Sequence, residues 1–184
     1  MLEQILAAYR AAQGFMACAP ALPMPDLDTT PVGPIARLGE NRRAALNDAL
    51  GLAASDRLVL VNLGGIGRGF DPEAWPATAG GDWILPRGAG AGRADAHGFD
   101  AVEMLGFSFI DLLCSADAFV TKPGYGGIVE AGCNGVPVLY VPRGDWLEEP
   151  GLIAWLSAAV PAVGIGRTAL AAGALVEPLE ELLA

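Results

Sequence analysis

The residues with the clearest chemical potential run from Lys122 to Glu130. Lys122 is the only lysine among the eleven basic residues of the chain, and Pro-Gly-Tyr-Gly-Gly follows it directly. Glycines at 124, 126 and 127 let an anion approach the backbone, and the amides that begin a helix point outward at the positive end of its dipole. This pattern is typical of a turn that binds a diphosphate, with the compact Lys122 ammonium as an added cationic donor.

Glu130 lies on the helix predicted to follow this turn. One helical turn places its carboxylate roughly 5 Å further along the axis than the anion-binding end. At that distance it can accept hydrogen bonds from both ribose hydroxyls of a nucleotide whose phosphates rest on the turn. The alternative is a solvated helix residue behind a tight glycine turn, and the segment alone leaves both interpretations open.

Two other glycine patterns suggest dinucleotide binding, but weakly. Residues 63–69 form a glycine-rich turn after an apolar run, yet Phe70 stands where the third glycine of G-x-G-x-x-G belongs. Residues 164–169 fit G-x-G-x-x-A, but too few residues follow them to complete a βαβ unit with its ribose-binding acid. A nicotinamide-dependent oxidoreductase is therefore disfavoured.

Metal and nucleophile chemistry have little support in the sequence. The chain has one histidine and three scattered cysteines, and the acidic run 145–149 could hold a hard cation only loosely. Glu148 and Glu149 in that run could instead bind sugar hydroxyls or favour the first turn of a helix. No G-x-S-x-G elbow occurs, and His97 falls in the Gly- and Ala-rich stretch 78–98, where a mobile loop is expected. No cofactor or metal is predicted.

These residues need strands and helices to position them. Strands are predicted at 57–63, 83–85, 118–121, 137–141 and 162–165, with a further one at 101–104. Helices are predicted at 2–9, 41–52, 108–116, 127–134, 149–158 and from 168 onward. Strands that are apolar on both faces and alternate with helices indicate a parallel sheet covered on both sides. The predicted class is α/β with a Rossmann-like, doubly wound parallel sheet, in which ligands bind at the carboxyl ends of the strands.

Length and charge narrow the possible partners. A chain of 184 residues supplies one principal, well-buried core. Its formal charge is −10 and it has no Lys/Arg cluster, so nucleic acid is not an expected partner. A small anion remains possible where helix-start amides override the overall field.

Cysteine spacing and hydropathy bear on location. The cysteines at 18, 114 and 133 have no paired spacing, which indicates reduced thiols and a cytoplasmic protein. Glu3 and Arg10 disrupt the charge pattern of a signal peptide, so residues 2–9 are predicted to form an amphipathic helix. Pro161, three glycines and Arg167 interrupt the longest apolar stretch, 152–176, so no membrane span is predicted.

The run 116–131, continuing through Gly135-Val136-Pro137-Val138, resembles the donor-binding signature of GT-B glycosyltransferases. It is similar to that of the peptidoglycan N-acetylglucosaminyltransferases and of UDP-glycosyltransferases, whose H-C-G-W-N-S-x-x-E motif precedes G-V-P. The spacing from Lys122 to Glu130 equals that from the His to the Glu of this motif. A closer likeness is to the glycosyltransferase-like half of L-arabinokinases, with K-x-G-Y-G-x-x-x-E-A and a later E-E-P, here residues 148–150.

The resemblance implies a role for each matching residue. The backbone amides of residues 124–127 would bind a diphosphate, Lys122 would contact phosphate in place of the family's histidine, and Glu130 would bind the ribose. The base would pack near the loop before the helix at 108. Glu148 and Glu149 would face the sugar, and Gly64 and Gly65 would line the cleft against the other domain. The implied donor-binding residues are Gly64, Gly65, Phe107, Ser108, Lys122, Gly124, Tyr125, Gly126, Gly127, Glu130, Glu148 and Glu149.

The family pairs two Rossmann-like domains, and the acceptor site and general base belong mainly to the first. Residues 1–34, a helix and a Pro-rich connector, resemble the crossing from that first domain, and residues 35–184 resemble the second. The resemblance thus implies the C-terminal half of a GT-B fold that binds a nucleotide-sugar, with a UDP-sugar expected. It also implies a metal-independent transferase whose catalytic residues lie outside this chain, which would be inactive by itself. The alternative is a non-catalytic nucleotide-binding or regulatory module on the same fold.

Overall fold

Six parallel strands form the main sheet of the protein. The computed structural model describes residues 2–64, 71–75, 81–90 and 92–184. Its strands are β1 (Met16–Cys18), β2 (Thr30–Val32), β3 (Arg57–Asn62), β4 (Gly81–Leu85), β5 (Ala96–Gly98), β6 (Ala118–Thr121), β7 (Val138–Tyr140) and β8 (Ala162–Gly164). Its α-helices are α1 (Leu2–Arg10), α2 (Arg43–Leu50), α3 (Phe99–Met104), α4 (Phe109–Ser115), α5 (Tyr125–Cys133), α6 (Glu149–Ala159), α7 (Arg167–Ala171) and α8 (Val176–Leu182).

The order of the strands confirms the predicted fold class. The main sheet runs β5-β4-β3-β6-β7-β8, and every neighbouring pair is parallel. The chain first moves outward from β3 to β4 and β5, then returns to place β6 on the other side of β3. This reversal is the arrangement of a Rossmann-like, doubly wound sheet, and it opens a crevice between the ends of β3 and β6. The short strands β1 and β2 pair with each other in a separate two-stranded sheet, also in parallel.

Strand β3 shows why its sequence is an unbroken apolar run. Leu58 and Leu60 belong to the core on one face of the sheet, with residues of α2, α4, α5 and α6. Val59 and Val61 belong to the core on the other face, with residues of α7 and α8. Since successive side chains of a strand point to opposite faces, a strand covered on both sides must be apolar at every position.

Two local predictions are wrong. Residues 101–104 belong to helix α3 rather than to a strand, and only Val102 of that helix is buried. Three apolar residues among four also fit one turn of a helix, so the run was too short to decide. In the stretch 78–98 the strand predicted at 83–85 is confirmed as part of β4, whose Trp83 is fully buried, but residues 96–98 form β5 where a mobile loop was expected. His97 lies on β5 with its Nε2 atom 3.1 Å from the Asp82 carboxylate.

None of the described helices has the length and apolarity needed to cross a bilayer. The cysteines at 18, 114 and 133 are unpaired.

Candidate functional site

A cleft of about 470 Å³ opens where β3 and β6 end. It therefore lies at the point where the strand order reverses, which is where doubly wound sheets bind ligands. Seven of the residues predicted from sequence line it: Gly64, Lys122, Gly124, Tyr125, Gly126, Gly127 and Glu130. The sequence prediction did not include the other lining residues: Arg37, Asn62, Phe109, Phe119 and Thr121.

Helix α5 begins at this cleft without a side-chain cap. Gly124 is the N-cap residue, its backbone is extended with φ −137°, and no side chain accepts a hydrogen bond from the first-turn amides. A Cβ atom placed on Gly126 would have no neighbour within 4 Å, so the cleft is open beside the helix start. Uncapped amides at the positive end of a helix dipole, next to open space, form a site suited to an anion.

The Lys122 side chain lies between Gly64 and Gly124. A Cβ atom on Gly64 would come within 3.2 Å of Lys122 Cε, and one on Gly124 within 3.0 Å of its Nζ. Gly64 also has a φ of +52°, which other residues rarely adopt. The absence of a Cβ atom at both positions therefore makes room for the lysine. Within the described part of the chain, the Lys122 ammonium makes no hydrogen bond or ion pair, so its charge is available to an anion.

Hydrogen bonds join the ends of the two strands that flank the crevice. The Thr121 hydroxyl donates to the backbone oxygen of Asn62 at 2.8 Å. The Asn62 side chain accepts a hydrogen bond from the amide of Gly64 at 3.2 Å, which stabilises the turn after β3. These contacts fix the floor of the cleft.

Glu130 faces the cleft from the second turn of α5, and Arg37 holds its carboxylate. Arg37 Nε donates to Oε1 at 2.6 Å and Nη2 donates to Oε2 at 3.2 Å. The Glu130 side chain is 13% exposed, whereas that of Arg37 is 66% exposed. The hydrogen bond to Glu130, and then the attraction between the two charges, raise the pKa of Arg37.

Arg37 belongs to a strap, residues 35–42, that crosses α4 and α5. The Tyr125 hydroxyl accepts a hydrogen bond from the amide of Ile35 at 3.2 Å and donates one to the backbone oxygen of Ala19 at 2.9 Å. The Asn134 side chain accepts from the amide of Gly39 at 2.9 Å. The strap is thus fixed through its backbone, independently of the Arg37 side chain.

Asp111 of α4 anchors the end of the strap. Its carboxylate accepts hydrogen bonds from the amide of Glu40 at 3.0 Å and from the Ser108 hydroxyl at 2.7 Å. The bond from Glu40, followed by that from Ser108, lowers the pKa of Asp111 below its ordinary value.

Two residues predicted to lie near a base do not line the cleft. Phe107 is 3% exposed within the core, and the Arg42 guanidinium lies 4.4 Å from the centre of its ring. Ser108 caps α4 by accepting a hydrogen bond from the amide of Asp111. The Phe107 ring is therefore closed to a base, and the predicted packing of a base near this loop stays a prediction. The cleft-lining aromatic side chain of this segment is Phe109.

The acids predicted to face a sugar lie outside the cleft. Glu149 is 7% exposed, and its carboxylate accepts hydrogen bonds from the amides of Arg143 and Gly144. Glu148 accepts a hydrogen bond from Trp146 Nε1 at 3.3 Å. Glu149 thus stabilises the loop after β7 from the first turn of α6, which agrees with the second of its two predicted interpretations. Gly65 lies outside the described residues.

No metal site is visible in the ranges that the structure describes. Within them, no three His, Cys, Asp or Glu side chains are grouped in a way that could hold an ion.

Solved structures show which fold this is. No family model matches the sequence, and no curated protein matches it. The spinosyn forosaminyltransferase SpnP is similar over 92% of this chain and 46% of its own, with 18% identity and a TM-score of 0.59. The glycosyltransferase SnogD from Streptomyces nogalater is similar over 88% of this chain and 49% of its own, with 19% identity and a TM-score of 0.48. Arabidopsis thaliana UGT89C1 complexed with UDP is similar over 84% of this chain and 45% of its own, with 18% identity and a TM-score of 0.47.

The likeness to SpnP defines the class of fold. With its six parallel strands in doubly wound order, the chain has the fold of a Rossmann-like GT-B domain. It spans about half the length of these three structures.

Proposed function

We propose that this chain is the donor-binding half of a glycosyltransferase that uses a nucleoside diphosphate sugar, with a UDP-sugar as the first candidate. One observation carries the proposal. A single cleft at the switch point of the sheet combines the uncapped start of α5, the Lys122 ammonium and the Glu130 carboxylate. The GT-B fold and the resemblance of residues 116–131 to a donor-binding signature support the same function.

The spacing of these groups suits a nucleoside diphosphate. A diphosphate would accept hydrogen bonds from the amides of Gly126 and Gly127 and would pair with Lys122. Glu130 lies four residues after Gly126, about 6 Å further along the helix axis, where the carboxylate would accept hydrogen bonds from the ribose hydroxyls. Phe109 on the cleft wall offers an apolar surface in the same space.

The same groups would assist the transfer reaction. As the bond between the anomeric carbon and the donor's phosphate oxygen breaks, negative charge grows on the departing nucleoside diphosphate. Amide dipoles and the Lys122 ammonium stabilise that charge, which is the basis for proposing a metal-independent transfer. The acceptor and the base that deprotonates it would belong to a second Rossmann-like half, so we expect the chain alone to bind the donor without turnover.

Calorimetric titration with uridine diphosphate tests the proposal. We expect the wild-type chain to bind, and E130A to lose roughly tenfold in affinity, because a diol would lose its hydrogen-bond acceptor, worth about 1.4 kcal/mol. E177A removes the same charge from the exposed first turn of α8 and serves as the control. Absence of binding by the wild type, or equal affinity for E130A, would contradict the proposal.

A further inference from the structure

The contact between Arg37 and Glu130 imitates the contact expected of a ribose. The guanidinium places one N–H donor on each carboxylate oxygen, at 2.6 and 3.2 Å. A vicinal diol would present two O–H donors to the same two oxygens. Arg37 therefore uses the two carboxylate oxygens of Glu130 that the proposed function assigns to the ribose. The inference drawn below rests on that proposed function.

The side chains of Arg37 and Glu130 differ in how well water can solvate them when the contact opens. The Arg37 side chain is 66% exposed, so water can solvate its guanidinium when the contact opens. The Glu130 side chain is 13% exposed, and a carboxylate so far removed from water needs a donor whether or not a ligand is present. Arg37 supplies that donor in the free protein, and a diol could take its place.

The backbone of the strap does not have to move for this exchange. Hydrogen bonds from Ile35 to the Tyr125 hydroxyl and from Gly39 to Asn134 hold the strap on either side of Arg37. Only the side-chain torsions of Arg37 must change, and its exposure leaves space for that change.

We infer that Arg37 is a latch on the ribose-binding carboxylate, which a nucleotide must displace from Glu130 in order to bind. The latch keeps Glu130 oriented toward the cleft in the free protein. It also lowers the affinity for any ligand that uses this carboxylate, in proportion to the strength of the ion pair.

A double-mutant cycle measures the latch. Uridine diphosphate is titrated calorimetrically into the wild type, R37A, E130A and the R37A/E130A double variant at one salt concentration. Removing Arg37 also removes a positive charge near the diphosphate, and the E130A background measures that effect alone. We expect the affinity change caused by R37A to be more favourable in the wild-type background than in E130A by roughly two- to fivefold, as for an exposed ion pair. R37K, which has no guanidinium fork, should give an intermediate value.

Nuclear magnetic resonance of the Arg37 Nε–H group provides a second measurement. The signal should be protected from exchange in the free protein and should lose that protection at saturating uridine diphosphate. An equal effect of R37A in both backgrounds, or a signal that stays protected in the complex, would overturn the latch while leaving the proposed function intact. If none of the four proteins binds the nucleotide, the proposed function and the latch both fail.

Discussion

The carboxylate of Glu149, at the start of α6, accepts a hydrogen bond from the backbone amide of Arg143 at 2.8 Å. Its other oxygen lies 3.3 Å from the amide of Gly144, which has a φ of +81°. One buried acid thus satisfies two amides of a tight turn and ties the loop after β7 to the helix that follows. Acids at the beginning of a helix are further stabilised by its dipole.

Replacing Glu149 should therefore affect stability first. In E149A the amides of Arg143 and Gly144 lose their acceptor, and we expect the free energy of unfolding to fall by about 1–3 kcal/mol. Urea unfolding followed by circular dichroism measures the change. E148A, which removes the neighbouring acid, should stay within about 0.5 kcal/mol of the wild type. Unchanged stability in E149A would show that the loop does not depend on this acid.

Replacing Lys122 should affect binding rather than folding. Its ammonium makes no hydrogen bond or ion pair in the described residues, and we expect K122A to weaken the binding of uridine diphosphate by roughly 10- to 100-fold, as for loss of a charge-assisted hydrogen bond. Calorimetry measures the affinity. R57A removes the same charge at the opposite end of β3 and should bind like the wild type. Comparable losses in both variants would mean that only the net charge matters.

Replacing Gly126 by alanine should leave the stability of the fold intact but weaken the binding of uridine diphosphate. An alanine there meets nothing within 4 Å, and it favours the helix by up to about 1 kcal/mol, yet its methyl group enters the space where an anion would contact the helix start. We expect G126A to unfold at an equal or higher urea concentration while its affinity for uridine diphosphate falls about tenfold.

The matched control for Gly126 is Gly151. It lies in the first turn of α6 and would likewise meet nothing within 4 Å as alanine. G151A should therefore bind uridine diphosphate normally. An unchanged affinity in G126A would place the anion elsewhere.

Asp111 should make stability depend on pH. Because the folded protein holds its pKa below the ordinary value of 3.8, Asp111 contributes stability that is fully present above that value and is lost as the pH falls through the folded pKa. We expect D111N to be less stable than the wild type at pH 7 and the difference to shrink below about pH 4. Urea unfolding at pH 7, 4 and 3 measures it. A difference that stays constant with pH would exclude Asp111 as its cause.

Local patterns were sufficient for five of the six strands of the main sheet, all but β5, and for the turn between β6 and α5. Strands β3 and β6 were predicted because both faces of a covered parallel strand must be apolar, and that requirement is written in consecutive residues. The error at 101–104 arose where the pattern was only four residues long. Phe107 was placed near a base only through the family resemblance, whereas its burial in the core and its stacking with Arg42 depend on distant parts of the chain.

The sequence alone determined the fold class and predicted a glycine turn at the start of α5, since hydrophobic periodicity, glycine conformational freedom and the helix dipole act over a few residues. Only the tertiary structure decided the partners of those groups. Arg37 reaches Glu130 across 93 positions of the chain, and the Tyr125 hydroxyl reaches Ala19 across 106. Such pairs depend on how strands order themselves in the sheet and where the strap crosses the helices, and neither residue of a pair carries a local signal of the other.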